Sequence, residues 1–143
     1  MKREICCMSG KRINFAAIMI QSVIIVALGG AFGSAARFVV SRLVQEHAVS
    51  AFPLPTMVVN VVGCLIIGLV CGLADRNDGI GDGLKLFLTV GFCGGFTTFS
   101  TFCNEGLSLM RGGNFPLAAL YAAASLFVGL LAVQAGVMVA KSI

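Results

Sequence analysis

The densest run of polar chemistry in this sequence lies inside an apolar stretch: Gly91-Phe92-Cys93-Gly94-Gly95-Phe96-Thr97-Thr98-Phe99-Ser100-Thr101-Phe102. Adjacent glycines weaken a helix, each by about 1 kcal/mol relative to alanine. Carbonyls freed at membrane depth must be buried in protein or satisfied by an ion or water, and unwound carbonyls of this kind can hold sodium. The Gly94–Gly95 pair therefore predicts a break in the helix with a bound cation or a water-filled cavity. Close helix packing is the alternative use of such a pair.

Four hydroxyls follow the glycines: Thr97, Thr98, Ser100 and Thr101. Each can donate to an anion or bond a backbone carbonyl one turn back. Phe99 and Phe102, three residues apart, share a helix face. The electropositive edges of their rings can attract an anion, although phenylalanines in membranes also serve as core or lipid-facing residues. Asn60, in the apolar run Met57–Gly63, has amide donors and an acceptor that lipid cannot satisfy. Such a residue faces either a pathway or a neighbouring helix to which it bonds.

Other polar residues suggest less. Arg37 and Glu105 close the first and third apolar runs, where long charged side chains reach the headgroups. His47 stands in a loop, far in sequence from any nucleophile. No serine–histidine–carboxylate set or carboxylate pair is present, so catalysis has no candidate residues. The six cysteines, Cys6, Cys7, Cys64, Cys71, Cys93 and Cys103, lack zinc or disulfide spacing and read as small apolar packing residues.

The elements that must position these groups follow from composition. The 143 residues are 58% hydrophobic and only 11% charged, against about 25% charged for a soluble domain. Lipid is the solvent in which such a chain is stable. Four spans are expected, at about 15–42, 55–74, 84–110 and 115–140, giving an all-α integral membrane fold with a break in the third span. Residues 1–14 form a basic tail and 15–143 one membrane domain. Pro53 and Pro55 suit the entrance of the second span. The segment 74–85, with Asp75, Arg76, Asn77, Asp78 and Asp82, reads as a solvated loop. Short connections make consecutive helices antiparallel neighbours. Gly29/Gly33 and Gly68/Gly72 are GxxxG pairs that let helix backbones approach.

Three segments together resemble the Fluc (CrcB-type) fluoride channel family: Gly29-Gly30-Ala31-Phe32-Gly33-Ser34-Ala35-Ala36-Arg37, then Pro55-Thr56 through Asn60 to Gly63, then Gly91 through Phe102. Ser34 is a small departure, since alanine is more usual there. The resemblance implies a passive, fluoride-selective channel in a prokaryotic plasma membrane (the inner membrane of a Gram-negative cell), built as an antiparallel, dual-topology dimer. It further implies a structural Na+ held by the backbone carbonyls of Gly94 and Thr97 and shared between subunits. Phe99 and Phe102 would line the fluoride path, Ser100 and Thr101 would supply a polar track, Asn60 an amide donor, and Arg37 a vestibule charge. The partners implied are fluoride, lipid and a second copy; nothing suggests nucleic acid.

Charge placement bears on that dimer. Outside the tail, Arg76, Lys85 and Lys141 fall on the N-terminal side of the membrane, and Arg37, Arg42 and Arg111 on the other. This balance permits insertion both ways. Lys2, Arg3, Lys11 and Arg12 tip it toward a cytoplasmic N-terminus. Either the tail lies outside the native start, or the subunit keeps one orientation and pairs with an inverted paralogue; of the two assemblies, the homodimer is the one expected. A small multidrug-resistance-type, proton-coupled transporter is the competing reading. It needs a membrane-buried carboxylate, and the first span has none.

Overall fold

The structure is a computed structural model describing residues 2–47, 52–76 and 80–143. Five helices make four crossings: α1 (Lys2–His47), α2 (Leu54–Arg76), α3 (residues 82–96), α4 (Phe99–Arg111) and α5 (Phe115–Ser142). The membrane-capable stretches are Phe15–His47, Leu54–Asp75, Asp82–Arg111 and Phe115–Ser142, of 33, 22, 30 and 28 residues. Each exceeds the roughly 20 residues that span the hydrocarbon layer. α1 begins at Lys2, well before the expected start of the first span. Asn77 and Asp78 of the polar connection lie outside the described residues, as do the side chains of the basic tail.

The third crossing departs from the expectation in two ways. Its first half contains a π-helical stretch, Phe87–Cys93, between the α-helical turns Asp82–Leu86 and Gly94–Phe96. Its interruption falls at Thr97 and Thr98, not at the glycines. Gly94 has helical angles of −62° and −36°, whereas Thr97 (−78°, 160°) and Thr98 (−147°, 113°) are extended. The reason is packing. Gly95 is held in the helix against α1, where a β-carbon would come within 2.5 Å of the Gly30 carbonyl oxygen and 2.9 Å of its Cα.

Glycines on both sides make that contact. A β-carbon on Gly29 would lie 2.6 Å from the Phe87 carbonyl oxygen, and one on Gly91 would lie 2.9 Å from Gly29 Cα. Gly33 meets the Phe92 carbonyl in the same way. α1 and α3 therefore touch backbone to backbone, the close approach that dispersion requires where lipid gives no hydrophobic drive. A second such seam joins α2 to α5: a β-carbon on Gly136 would approach the Leu65 carbonyl oxygen to 2.5 Å, and one on Gly72 the Ala140 Cβ to 2.7 Å. Consecutive crossings do touch, but the most extensive packing is between alternate ones, α1 with α3 and α2 with α5. α4 leaves the α1 seam and packs on α5.

Candidate functional site

The break is held open by one side chain. Asn60, from α2, accepts the Thr98 N–H at Oδ1 (2.8 Å) and donates through Nδ2 to the Thr98 carbonyl (3.3 Å). Because a backbone N–H can only donate, this pairing fixes which way the amide faces. The side chain stands in for a neighbouring peptide group, and both polar groups of an extended residue at membrane depth are satisfied. It leaves one amide N–H unused by these two bonds.

Thr98 then starts α4. Its Oγ1 accepts the Thr101 N–H (3.3 Å), an N-cap bond, and donates to Thr101 Oγ1 (2.9 Å). Ser100 Oγ lies 3.4 Å from the same oxygen. Thr97, by contrast, turns back: its hydroxyl and its N–H both bond the Cys93 carbonyl at 2.9 Å. Three of the four hydroxyls thus form one cluster at the head of α4, and the fourth makes the back-bond to the preceding turn.

A groove of about 260 Å³ opens beside this cluster, lined by Asn60, Cys64, Thr97, Thr98, Phe99, Phe102, Ser125 and Leu126. Phe99 and Phe102 share one wall, ring centroids 5.9 Å apart and planes tilted by 32°. Phe99 is 75% exposed; Phe102 packs against Tyr121 at 5.0 Å. The structure therefore brings Asn60, Phe99, Ser100, Thr101 and Phe102 to one place. Arg37 is not among the groove residues and stays half-exposed on α1. Ser34 Oγ approaches the Gly95 carbonyl at 3.5 Å, so the hydroxyl at this position faces the α1–α3 seam.

Carbonyls at the break lose their helical partners, those of Gly94 and Thr97 among them. In an unbroken helix Gly94 C=O would accept from Thr98 N–H, which goes to Asn60 instead. Thr97 C=O would accept from Thr101 N–H, which goes to Thr98 Oγ1. The Gly94 face is open, with nothing within 4 Å of a would-be β-carbon. No group of three or more His, Cys, Asp or Glu side chains capable of holding a metal occurs among the described residues. The Gly94 and Thr97 carbonyl oxygens are a donor set that suits a hard cation.

Sequence reasoning missed three participants. Glu105 is not a headgroup-reaching terminal residue. It is half-buried and accepts two hydroxyl bonds, from Thr56 Oγ1 (2.7 Å) on α2 and Tyr121 (2.8 Å) on α5. α4 continues to Arg111, and this carries Glu105 back from the helix end into the bundle. Tyr121 is 0% exposed and Thr56 6%, so the carboxylate ties three helices together. The one tyrosine in an uncharged span was the available signal. Ser125, one turn beyond Tyr121, is the third: its Oγ is buried without a hydrogen-bond partner and borders the groove.

Four apolar helices, a crossing broken by an inter-helix amide clamp and a hydroxyl-lined groove define a multi-pass membrane protein with a polar site at the break. Comparison with known proteins makes this specific. A family model described as "CrcB-like protein, Camphor Resistance (CrcB)" matches residues 24–137, and the chain belongs to that family. Relatives named "Fluoride-specific ion channel FluC" include that of Flavobacterium psychrophilum, 37% identical over 123 residues, covering 86% of this chain and 99% of the relative. That of Azobacteroides pseudotrichonymphae is 42% identical over 118 residues (82% and 94%). That of Methylobacillus flagellatus is 47% identical over 120 residues (83% and 94%). These bacterial relatives are named as ion channels, not enzymes, and they support a multi-pass membrane protein of a prokaryote.

Proposed function

We propose that this chain is the subunit of a passive fluoride channel that lets the cytoplasmic ion leave the cell. The observation that carries the reading is the Thr97–Thr98 interruption, clamped by Asn60 and flanked by hydroxyls and two ring faces inside an otherwise apolar crossing. Fluoride is small and strongly hydrated, so a narrow path must replace its water with donors. Hydroxyls of Ser100 and Thr101, the unused N–H of Asn60 and the edges of Phe99 and Phe102 supply donors without a fixed cation that would trap the ion. Binding must favour arrival and still permit departure. A negative interior drives an anion out with about 2.3 kcal/mol per charge per 100 mV, so no pump is needed.

The buried serine extends the same reading. Ser125 Oγ, unpartnered beside the groove, is a further hydroxyl available to the ion. The Gly94 and Thr97 carbonyls at the break fit a structural sodium ion, each contributing one oxygen and a second copy of the chain contributing the rest. When bound, the ion would supply positive charge that fixes those carbonyls in place. The open Gly94 face supports an antiparallel homodimer centred there. Arg37 would stand in the vestibule outside the groove. The proton-coupled transporter reading is disfavoured, because Glu105 is committed to two hydroxyl donors rather than free to trade a proton with a cationic substrate.

Fluoride efflux from proteoliposomes holding the purified chain, with chloride as the control ion, tests the function. Rapid fluoride loss with chloride retained is expected. Equal retention of both ions would end the reading. Reporter fusions at the C-terminus test the dimer: signal from both membrane faces is expected, and a single face would exclude a homodimer of mixed orientation.

A further inference from the structure

Ser34 lies near the middle of the first crossing and is exposed on α1. A hydroxyl at that depth finds no partner in lipid, and the common solution is a carbonyl one turn back in its own helix. Thr89, Thr97 and Ser108 take that solution, donating to the carbonyls of Lys85, Cys93 and Asn104 at 2.8, 2.9 and 2.9 Å. Ser34 does not. Its Oγ reaches across the seam to the Gly95 carbonyl, 3.5 Å away on α3.

The break is what frees that carbonyl. In an unbroken helix Gly95 C=O would accept the Phe99 N–H. The extended Thr97 and Thr98 take Phe99 out of that register, and Phe99 becomes the first residue of α4, whose N–H has no helical acceptor. Ser34 stands where it can answer. It follows Gly30 by one turn on the same face of α1, and Gly95 packs on Gly30, with 2.9 Å between a would-be β-carbon and Gly30 Cα. The first and third crossings run in the same direction, so a carbonyl aimed at the C-terminal end of α3 is aimed at the residue one turn past Gly30. Gly33 closes on the same turn, since a β-carbon there would come within 2.9 Å of the Phe96 nitrogen.

We propose that Ser34 is a positioning residue for the cation site: its hydroxyl takes the Gly95 carbonyl that the interruption frees, and so fixes the turn that carries the neighbouring Gly94 carbonyl. This rests on the reading of Gly94 and Thr97 as ligands of a sodium ion. The break is then held on both sides by side chains from different helices, Asn60 of α2 on Thr98 and Ser34 of α1 on Gly95. Ser34 itself contributes no oxygen to the ion. It commits the Gly95 carbonyl elsewhere and holds the Gly94 carbonyl ready, so less ordering is left for the cation to impose.

The test compares the full chain with Ser34→Ala and Ser34→Thr in liposomes, labelled with carbon-13 at glycine carbonyls and nitrogen-15 at phenylalanine amides. Gly91–Phe92 and Gly95–Phe96 are the two glycine–phenylalanine bonds of the sequence, so solid-state NMR returns one signal from the break and one control from the same helix. In Ser34→Ala the Gly95 carbonyl should move upfield as it loses its donor, while Gly91 stays. The sodium concentration giving half-maximal fluoride efflux, with a bulky organic cation as replacement, should rise about three-fold, the equivalent of one inter-helix hydrogen bond in a membrane. Ser34→Thr keeps a hydroxyl and should return both values. A Gly95 signal that stays in place, or one matched by an equal change at Gly91, would overturn the bond. A displaced Gly95 signal with the sodium half-point unchanged would overturn the positioning role. If efflux through the unaltered chain is indifferent to sodium, the sodium reading fails and takes this role with it; if efflux depends on sodium equally in the alanine variant, the role of Ser34 alone fails.

Discussion

Replacing Asn60 with leucine keeps the side chain's size while removing both partners of the Thr98 backbone. Two bonds are lost, at 2.8 and 3.3 Å. Inter-helix hydrogen bonds in membranes average about 0.6 kcal/mol and reach about 1.7. A buried backbone group left without any partner costs about 1–3 kcal/mol. Because Asn60 and Thr98 are only partly buried, water can recover some of that loss. The expected destabilisation is therefore about 1–3 kcal/mol, or about 5- to 150-fold in the folding equilibrium. Reversible unfolding in mixed micelles measures it, and amide exchange at Thr98 locates it, since that N–H should exchange faster while those of α5 do not. Fluoride efflux should fall as well, because the same change removes the amide donor. Stability within about 0.5 kcal/mol of the unaltered chain, with Thr98 still protected, would refute the claim that Asn60 holds the break.

Five further substitutions separate packing from passage. Gly95→Ala places a methyl group against the Gly30 backbone and should destabilise the fold by about 1–3 kcal/mol, whereas Gly94→Ala meets nothing within its own chain. The second should unfold normally yet weaken the dimer, as read by single-molecule photobleaching in liposomes; an unaffected dimer would place the subunit contact elsewhere. Tyr121→Phe removes one of two donors to Glu105 and should cost about 1–2 kcal/mol in the same unfolding assay. Phe99→Ile and Phe102→Ile should each depress fluoride efflux with the dimer intact. Only the second should lower stability, because Phe102 packs against Tyr121 while Phe99 is largely exposed.

The crossings were legible because hydropathy and length alone define them. The expected 55–74, 84–110 and 115–140 lie inside Leu54–Asp75, Asp82–Arg111 and Phe115–Ser142. The glycine seams were legible too, since Gly29/Gly33 and Gly68/Gly72 stand at helical spacing. The break was expected in the right crossing but a few residues early. Local propensity favours Gly94–Gly95, and what decides the outcome is the contact of Gly95 with the Gly30 backbone together with an amide 38 residues away from Thr98 in sequence. The π-helical stretch carries no local signal. Glu105 was misjudged because its depth was read from the expected end of an apolar run, when hydroxyls on two other helices draw it inward. Asn60, Phe99 and Phe102 could be named from their types, but Ser125 at the groove and the bonding of Asn60 to Thr98 could not.

The two halves of the third crossing belong to different neighbours: residues 82–96 lie along α1, and α4 lies along α5. Along the third crossing the two packed pairs are thus joined by two threonines in extended conformation. If bilayer thickness or curvature tilts one pair against the other, the change falls on Thr97 and Thr98, where the crossing leaves helical geometry. Asn60 then acts as a latch on the pivot.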